Sequence, residues 1–160
     1  MKFEHLVEIN DLENPMVEII TRAQLWRGLV LRAESPKMFI SYIDQCVITD
    51  RTEVAMTREI QYGNLFVTDH VSMLVNDYVH YQVPAQNEIP ASTLRMTIEE
   101  PEPDRLFVRF CYEDAHTVEE DEANEMYDDY RRSAYHEADV DTIRVIRELA
   151  EGGLLNALIN

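Results

Sequence analysis

Between Gln45 and Glu113 apolar residues recur at every second position, and this stretch decides what the chain can become. Alternation over short runs is the signature of half-buried strands. Six runs are bounded by turn residues: roughly 45–50, 54–62, 65–74, 78–83, 92–99 and 105–113. Gly63-Asn64 fits a two-residue hairpin loop in which Gly supplies a positive φ. Asn76-Asp77 and Pro101-Glu102-Pro103-Asp104 are further turn signals, and Pro84 to Pro90 is a longer connection. A strand over 2–10 precedes them, with Phe3, His5, Val7 and Ile9 on one side.

The helical signals lie outside this block. Thr21-Arg22-Ala23-Gln24 matches a capping box, followed by Leu25, Leu29, Val30 and Ala33 at helical spacing. Ser35-Pro36 predicts a second short helix to about Ile43, with Pro at its first position. Residues 121–151 read as one long helix stopped by Gly152-Gly153. The order β-α-α-β6-α is that of an α+β protein, with a curved antiparallel sheet wrapped around the last helix so that both bury their apolar faces. A single domain over 1–160 is expected at this length.

Charge narrows the function. The net charge is −17, and residues 99–141 hold sixteen of the 31 acids against four arginines. Such a balance argues against a nucleic-acid surface, which needs clustered Lys and Arg, and against docking on anionic lipid. The run Glu119-Glu120-Asp121-Glu122 reads as a solvated helix start or a docking surface for a basic partner. No apolar run is long enough to span a membrane, and the N-terminus lacks the apolar segment of a secretory signal. A cytoplasmic protein with free thiols at Cys46 and Cys111 is expected, as monomer or homodimer. No zinc spacing, phosphate-binding glycine loop or hydrolase motif occurs, so neither metal nor cofactor is expected.

Turn positions assign faces. A two-residue loop at Gly63-Asn64 pairs Tyr62 with Leu65 and Arg58 with Asp69; one at Asn76-Asp77 pairs Met73 with His80 and Val75 with Tyr78. One face then carries Arg58, Ile60, Tyr62, Val67, Asp69, Val71, Met73, Tyr78 and His80, and its apolar content points it at the helix. His70 falls on the other face from His80, which speaks against a shared metal. Cys111, whose face stays ambiguous, reads as a small buried hydrophobe. On the long helix, Tyr127, Arg131, Ala134, Ala138, Thr142, Val145 and Leu149 share an arc of about 120°, flanked by Tyr130 and Tyr135. Arg131 among alanines and tyrosines reads as part of a cavity wall or as a side chain reaching out to solvent.

The segments MKFEHLVEIND, TRAQLWRGLVLRAESP, STLRMTIEEPEP, LFVRFCYED and YRRSAYHEADVDTIRVIREL resemble the acetylaranotin-biosynthesis-protein-L-like family of the START/Bet v 1-like superfamily, over nearly the whole chain. The resemblance implies a helix-grip fold: a seven-stranded antiparallel sheet curled around a long C-terminal helix. Relatives in that superfamily include lipid and hormone binders, polyketide aromatases and cyclases, and ring-hydroxylase domains, and fold does not choose among them.

Two functions remain. The first is a binding module for a small hydrophobic or aromatic molecule, with walls from Met56, Ile60, Val71 and Met73 and hydroxyls from Tyr62, Tyr78, Tyr127 and Tyr130. Arg131 or Arg58 would anchor a carboxylate or phenolate. The second is a cofactor-independent cyclase or dehydratase with His80 as base, Tyr78 or Tyr62 as acid, and Arg131 stabilising an enolate. The binding module is favoured because no His–carboxylate pair is evident: Asp69 is two rungs from His80 and already opposite Arg58.

Overall fold

Thr21 caps the first helix as its sequence predicts: its hydroxyl accepts from the Gln24 amide, and the Gln24 side chain accepts from the Thr21 amide. The computed structural model describes residues 1–115 and 122–156. Its elements are β1 (Lys2–Glu8), α1 (Arg22–Glu34), β2 (Gln45–Arg51), β3 (Ala55–Tyr62), β4 (Leu65–Leu74), β5 (Tyr78–Val83), β6 (Ser92–Glu102), β7 (Arg105–Asp114) and α2 (Glu122–Glu151). The second short helix expected to run to Ile43 shrinks to one 3-10 turn, Pro36–Met38. Of the acidic run, Glu119, Glu120 and Asp121 lie outside the described residues.

Among the described residues the seven strands form one antiparallel sheet in the order β1-β7-β6-β5-β4-β3-β2. Its concave face receives α1 and α2. Asn10 fastens the entry to α1, donating to the carbonyls of Ile20 and Asp104 and accepting from the Ile20 amide. The β3–β4 register is the expected one, with Tyr62 opposite Leu65 and Arg58 opposite Asp69, and Gly63 takes a φ of 60° in the loop.

The next hairpin differs. Its loop is three residues, Val75-Asn76-Asp77, with Asn76 in the left-handed region at φ 62°, and Leu74 pairs with Tyr78. One extra loop residue turns every β5 side chain to the opposite face. Val79 and Tyr81 therefore point inward, while Tyr78 and His80 lie on the convex face. His70 and His80 consequently share that face, contrary to the expectation from a two-residue loop. Cys111 is also only half-buried, its thiol against Glu4 instead of within the core.

The core is concentrated at one end of the grip. Leu25 and Leu29 of α1 pack with Ile143, Ile146 and Leu149 of α2 over Val79, Met96, Val108 and Phe110 of the sheet. Val71 and Met73 belong to this filled core. Gly28 is the contact point of the two helices: a Cβ there would come 2.7 Å from Ile146 Cγ2. Gly28→Val should therefore cost about 1–3 kcal/mol by overpacking. Urea denaturation checks this, and unchanged stability would mean that the helices separate freely.

Candidate functional site

Toward its N-terminal half the buried side of α2 changes character. The inward positions Asp128, Arg131, Tyr135, Asp139 and Thr142 continue the spacing of Ile146 and Leu149 but carry polar groups. The arc expected from the alanines is thus rotated: Ala134 and Ala138 face out, and Tyr127 and Tyr130 are 57% and 72% exposed. Polar side chains of this kind cannot complete an apolar core, and a cavity of about 290 Å³ lies beneath them. Arg32 of α1 and Ile40 close one side; Arg58, Ile60, Tyr62, Asp69, Tyr81 and Tyr112 come from the sheet; Arg131 and Tyr135 come from α2.

Of the residues expected in the site, Arg58, Ile60, Tyr62, Asp69 and Arg131 line this cavity. Val71 and Met73 sit in the core beyond it. Tyr78 and His80 are on the far side of the sheet, where Arg95 stacks on the Tyr78 ring at 4.5 Å. Burial and the neighbouring Arg95 hold the His80 imidazole below its ordinary range. Tyr127 and Tyr130 stay at the surface, although Arg131 lies 5.7 Å from the Tyr127 ring.

Two of the three cavity arginines are committed. Arg58 donates through Nε and Nη2 to the two oxygens of Asp69, at 2.8 and 2.6 Å, and through Nη1 to the Ala33 carbonyl. Both partners are 4% exposed. Burial works against the Arg58 charge, but its hydrogen bonds to Asp69 outweigh this and hold the guanidinium above its ordinary range. Arg131 donates to Asp114 and to the Tyr135 hydroxyl.

Arg32 differs from both. Among the described residues it donates from Nε to the Thr142 hydroxyl at 3.3 Å and makes a looser contact with the Tyr81 hydroxyl, with no ion pair. Burial works against its charge, but Tyr81, Tyr112 and the more distant Asp139 outweigh this and hold it above its ordinary range. It projects over the Tyr81 ring, 5.3 Å from the centroid, and Arg58 lies 5.0 Å from the same ring. The buried Tyr81 hydroxyl makes no hydrogen bond of regular geometry among the described residues. Sequence reasoning passed over Arg32, yet it stands seven residues after Leu25 and three after Leu29, on the face those leucines define.

Tyr112 completes the wall, and Asp139 stands behind it. The Tyr112 hydroxyl donates to Asp139 Oδ1 at 2.6 Å, and its ring stacks on Tyr135 at 4.0 Å. Asp139 Oδ2 meets His5 Nε2 at 2.6 Å, so a His–carboxylate pair exists between β1 and α2. Burial pushes the Asp139 carboxyl up, against the hydrogen bonds from Tyr112 and His5 and the charge of Arg32. A carboxyl raised in the folded state contributes stability that is full below its unfolded pKa and fades as pH rises through the folded value. Asp139→Asn should remove that limb from a plot of Tm against pH; an unaltered limb would assign it to other carboxyls. Among the described residues no cluster of His, Cys, Asp and Glu is placed to hold a metal ion, and no helix is long and apolar enough to cross a membrane.

Comparison with solved structures gives the same fold in several settings. The di-domain aromatase/cyclase StfQ of the steffimycin biosynthetic pathway matches with a TM-score of 0.71 at 10% identity, covering 94% of this chain and 50% of that one. The chain thus spans about half the length of that protein. The Zhui aromatase/cyclase from Streptomyces sp. R1128 matches at TM-score 0.61 and 11% identity, covering 96% and 95% of the two chains. Human STARD10 matches at TM-score 0.62 and 10% identity, covering 96% and 66%. No curated protein matches in sequence. At such identities the likeness speaks for the START/Bet v 1-like helix-grip fold. Residues 7–153 match the family of acetylaranotin biosynthesis cluster protein L, and the chain belongs to that family.

Proposed function

We propose that the chain binds a small, largely apolar molecule carrying one anionic or enolic oxygen, held in the cavity between α2 and the sheet. The observation that carries this reading is Arg32, a buried guanidinium on the cavity wall that has no ion-pair partner among the described residues and is turned to the neutral Thr142 and Tyr81 hydroxyls instead. A buried charge met by neutral hydroxyls and a ring face is only weakly compensated, and an anionic or enolic ligand oxygen would be a stronger acceptor for it. The remaining wall, with Ile40, Ile60 and Leu94 and the rings of Tyr62, Tyr112 and Tyr135, suits aromatic or aliphatic carbon. A volume of about 290 Å³ is at the small end for ligand sites, so a bicyclic molecule fits better than a long acyl chain. Two structural relatives are named as aromatase/cyclases, which agrees with an aromatic or polyketide-derived ligand.

Calorimetric titration with 1-naphthoate and its neutral counterpart 1-acetylnaphthalene tests the reading. Both should bind, the anion more tightly. If neither binds, and no compound in a broad thermal-shift panel of aromatic acids, phenols and fatty acids stabilises the protein, the proposal is wrong. Native mass spectrometry of protein purified from its host would identify a retained natural ligand. His80→Gln should leave binding unchanged, because that side chain lies on the convex face; weakened binding would show that the β5 face assignment is in error.

A further inference from the structure

Binding alone does not use the groups behind Tyr112. Tyr112 lines the cavity, yet its hydroxyl proton is directed to Asp139 Oδ1 at 2.6 Å, a carboxylate outside the lining. Asp139 is fully buried and is shared with His5, which approaches Oδ2 at 2.6 Å. His5 is clamped between Phe3 and Phe110, at ring distances of 5.2 and 5.4 Å. Its other nitrogen, Nδ1, faces Nδ1 of His136 at 3.3 Å. His136 is exposed on the solvent side of α2. A continuous line of hydrogen-bonding groups therefore runs from the cavity to the surface: Tyr112, Asp139, His5, His136.

A phenol that gives its proton to a carboxylate turns oxygen lone pairs toward whatever occupies the cavity. It can accept a proton on that side while passing its own proton on. Arg32, also on the cavity wall, places a positive charge near enough to act on both Tyr112 and Asp139.

We propose that Tyr112 is a proton-transferring catalytic residue acting on a carbonyl compound bound in the cavity, with Asp139 and His5 as positioning residues behind it. The proposal rests on the binding reading above, since Arg32 holds the carbonyl oxygen in both. In the step, the α C–H bond of the substrate breaks and its electron pair forms the enolate, whose oxygen lies against Arg32. The proton bonds to Tyr112 Oη as the original phenolic proton moves to Asp139 Oδ1. Reversal at the enolate oxygen, or at another carbon, completes a tautomerisation with no other reactant. Burial raises the Asp139 carboxyl, which suits it to receive the proton. Phenol-plus-carboxylate pairs of this kind supply general acid–base catalysis, worth about 100-fold or more in rate.

The test is α-hydrogen exchange of 2-tetralone in D₂O, followed by proton NMR, with binding of the same ketone measured by calorimetry. Wild-type protein should bind the ketone and accelerate exchange above buffer. Tyr112→Phe, which keeps the stack on Tyr135, should retain binding within about twofold and lose about 100-fold of the protein-dependent rate. Asp139→Asn keeps an acceptor for Tyr112 and should lower kcat by at least about tenfold with KM nearly unchanged. His5→Gln, whose amide can still donate to Asp139, should keep more activity than His5→Leu. The control Tyr78→Phe, on the convex face, should leave exchange unaltered.

Ketone bound without accelerated exchange overturns the catalytic proposal and leaves the binding reading standing. Exchange that survives Tyr112→Phe also overturns it. Failure of the wild-type protein to bind either 2-tetralone or the naphthyl probes overturns both readings together. If Tyr112→Phe does not fold, the kcat and KM values of Asp139→Asn decide the matter: equal changes in both parameters, or none, count against the relay.

Discussion

Asp69→Ala is expected to lower the unfolding free energy by about 3–5 kcal/mol, the largest single effect on stability that the structure predicts. The partner it abandons, Arg58, is 4% exposed and takes both carboxylate oxygens in a fork at 2.8 and 2.6 Å. Without Asp69 the guanidinium keeps only the Ala33 carbonyl as a strong acceptor and remains charged in a place water hardly reaches. The loss measures an orphaned charge, not the worth of the pair. The double replacement of Arg58 by Met and Asp69 by Leu should accordingly recover most of it, since apolar residues of similar volume often equal a buried ion pair. Urea denaturation of the two variants separates these contributions. A loss below about 1 kcal/mol for Asp69→Ala would show that the pair behaves like a surface salt bridge.

Arg32→Met carries the largest expected effect on binding. Affinity for 1-naphthoate should fall roughly 30- to 1,000-fold, corresponding to about 2–4 kcal/mol for removing one partner of a desolvated charge contact. Affinity for 1-acetylnaphthalene should change far less, because methionine preserves the apolar stem. Arg131→Met provides the contrast. Its guanidinium is engaged by Asp114 and Tyr135, and its loss should affect the anion only modestly. Equal weakening of the acid and the ketone by Arg32→Met would assign Arg32 to packing, not to charge recognition.

The fold was legible because period-two alternation and turn residues are local signals that survive without knowledge of partners. Thr21 to Gln24, Gly63-Asn64 and Gly152-Gly153 each act through backbone geometry that the side chain itself dictates. The Arg58–Asp69 pair followed from the Gly63-Asn64 hairpin, whose loop length its own residues reveal. At Asn76-Asp77 the same reasoning failed by one residue. Asn76 alone takes the left-handed conformation, Val75 joins the loop, and the inward set on β5 becomes Val79 and Tyr81 in place of Tyr78 and His80.

The site was harder to see because its groups sit where apolar residues are expected. Asp128, Tyr135, Asp139 and Thr142 occupy a heptad-like series with Ile146 and Leu149, but a search for apolar periodicity selects the alanines beside them. The His5–Asp139 contact joins residues 134 positions apart, a pairing that depends on how β1 and α2 close against each other. Nothing local encodes it.

The close approach of α1 to α2 at Gly28 also governs recognition. Gly28 and Arg32 lie one turn apart on the same rigid helix, so the depth to which Gly28 lets α1 settle on Ile146 fixes where the Arg32 charge stands. The missing side chain is therefore a spacer of zero thickness between a packing contact and an anion anchor. Any residue larger than glycine would lift the anchor outward and widen the chamber beneath it, moving ligand preference toward bulkier acids. Chamber width and charge position are thus adjustable from a residue that touches no ligand.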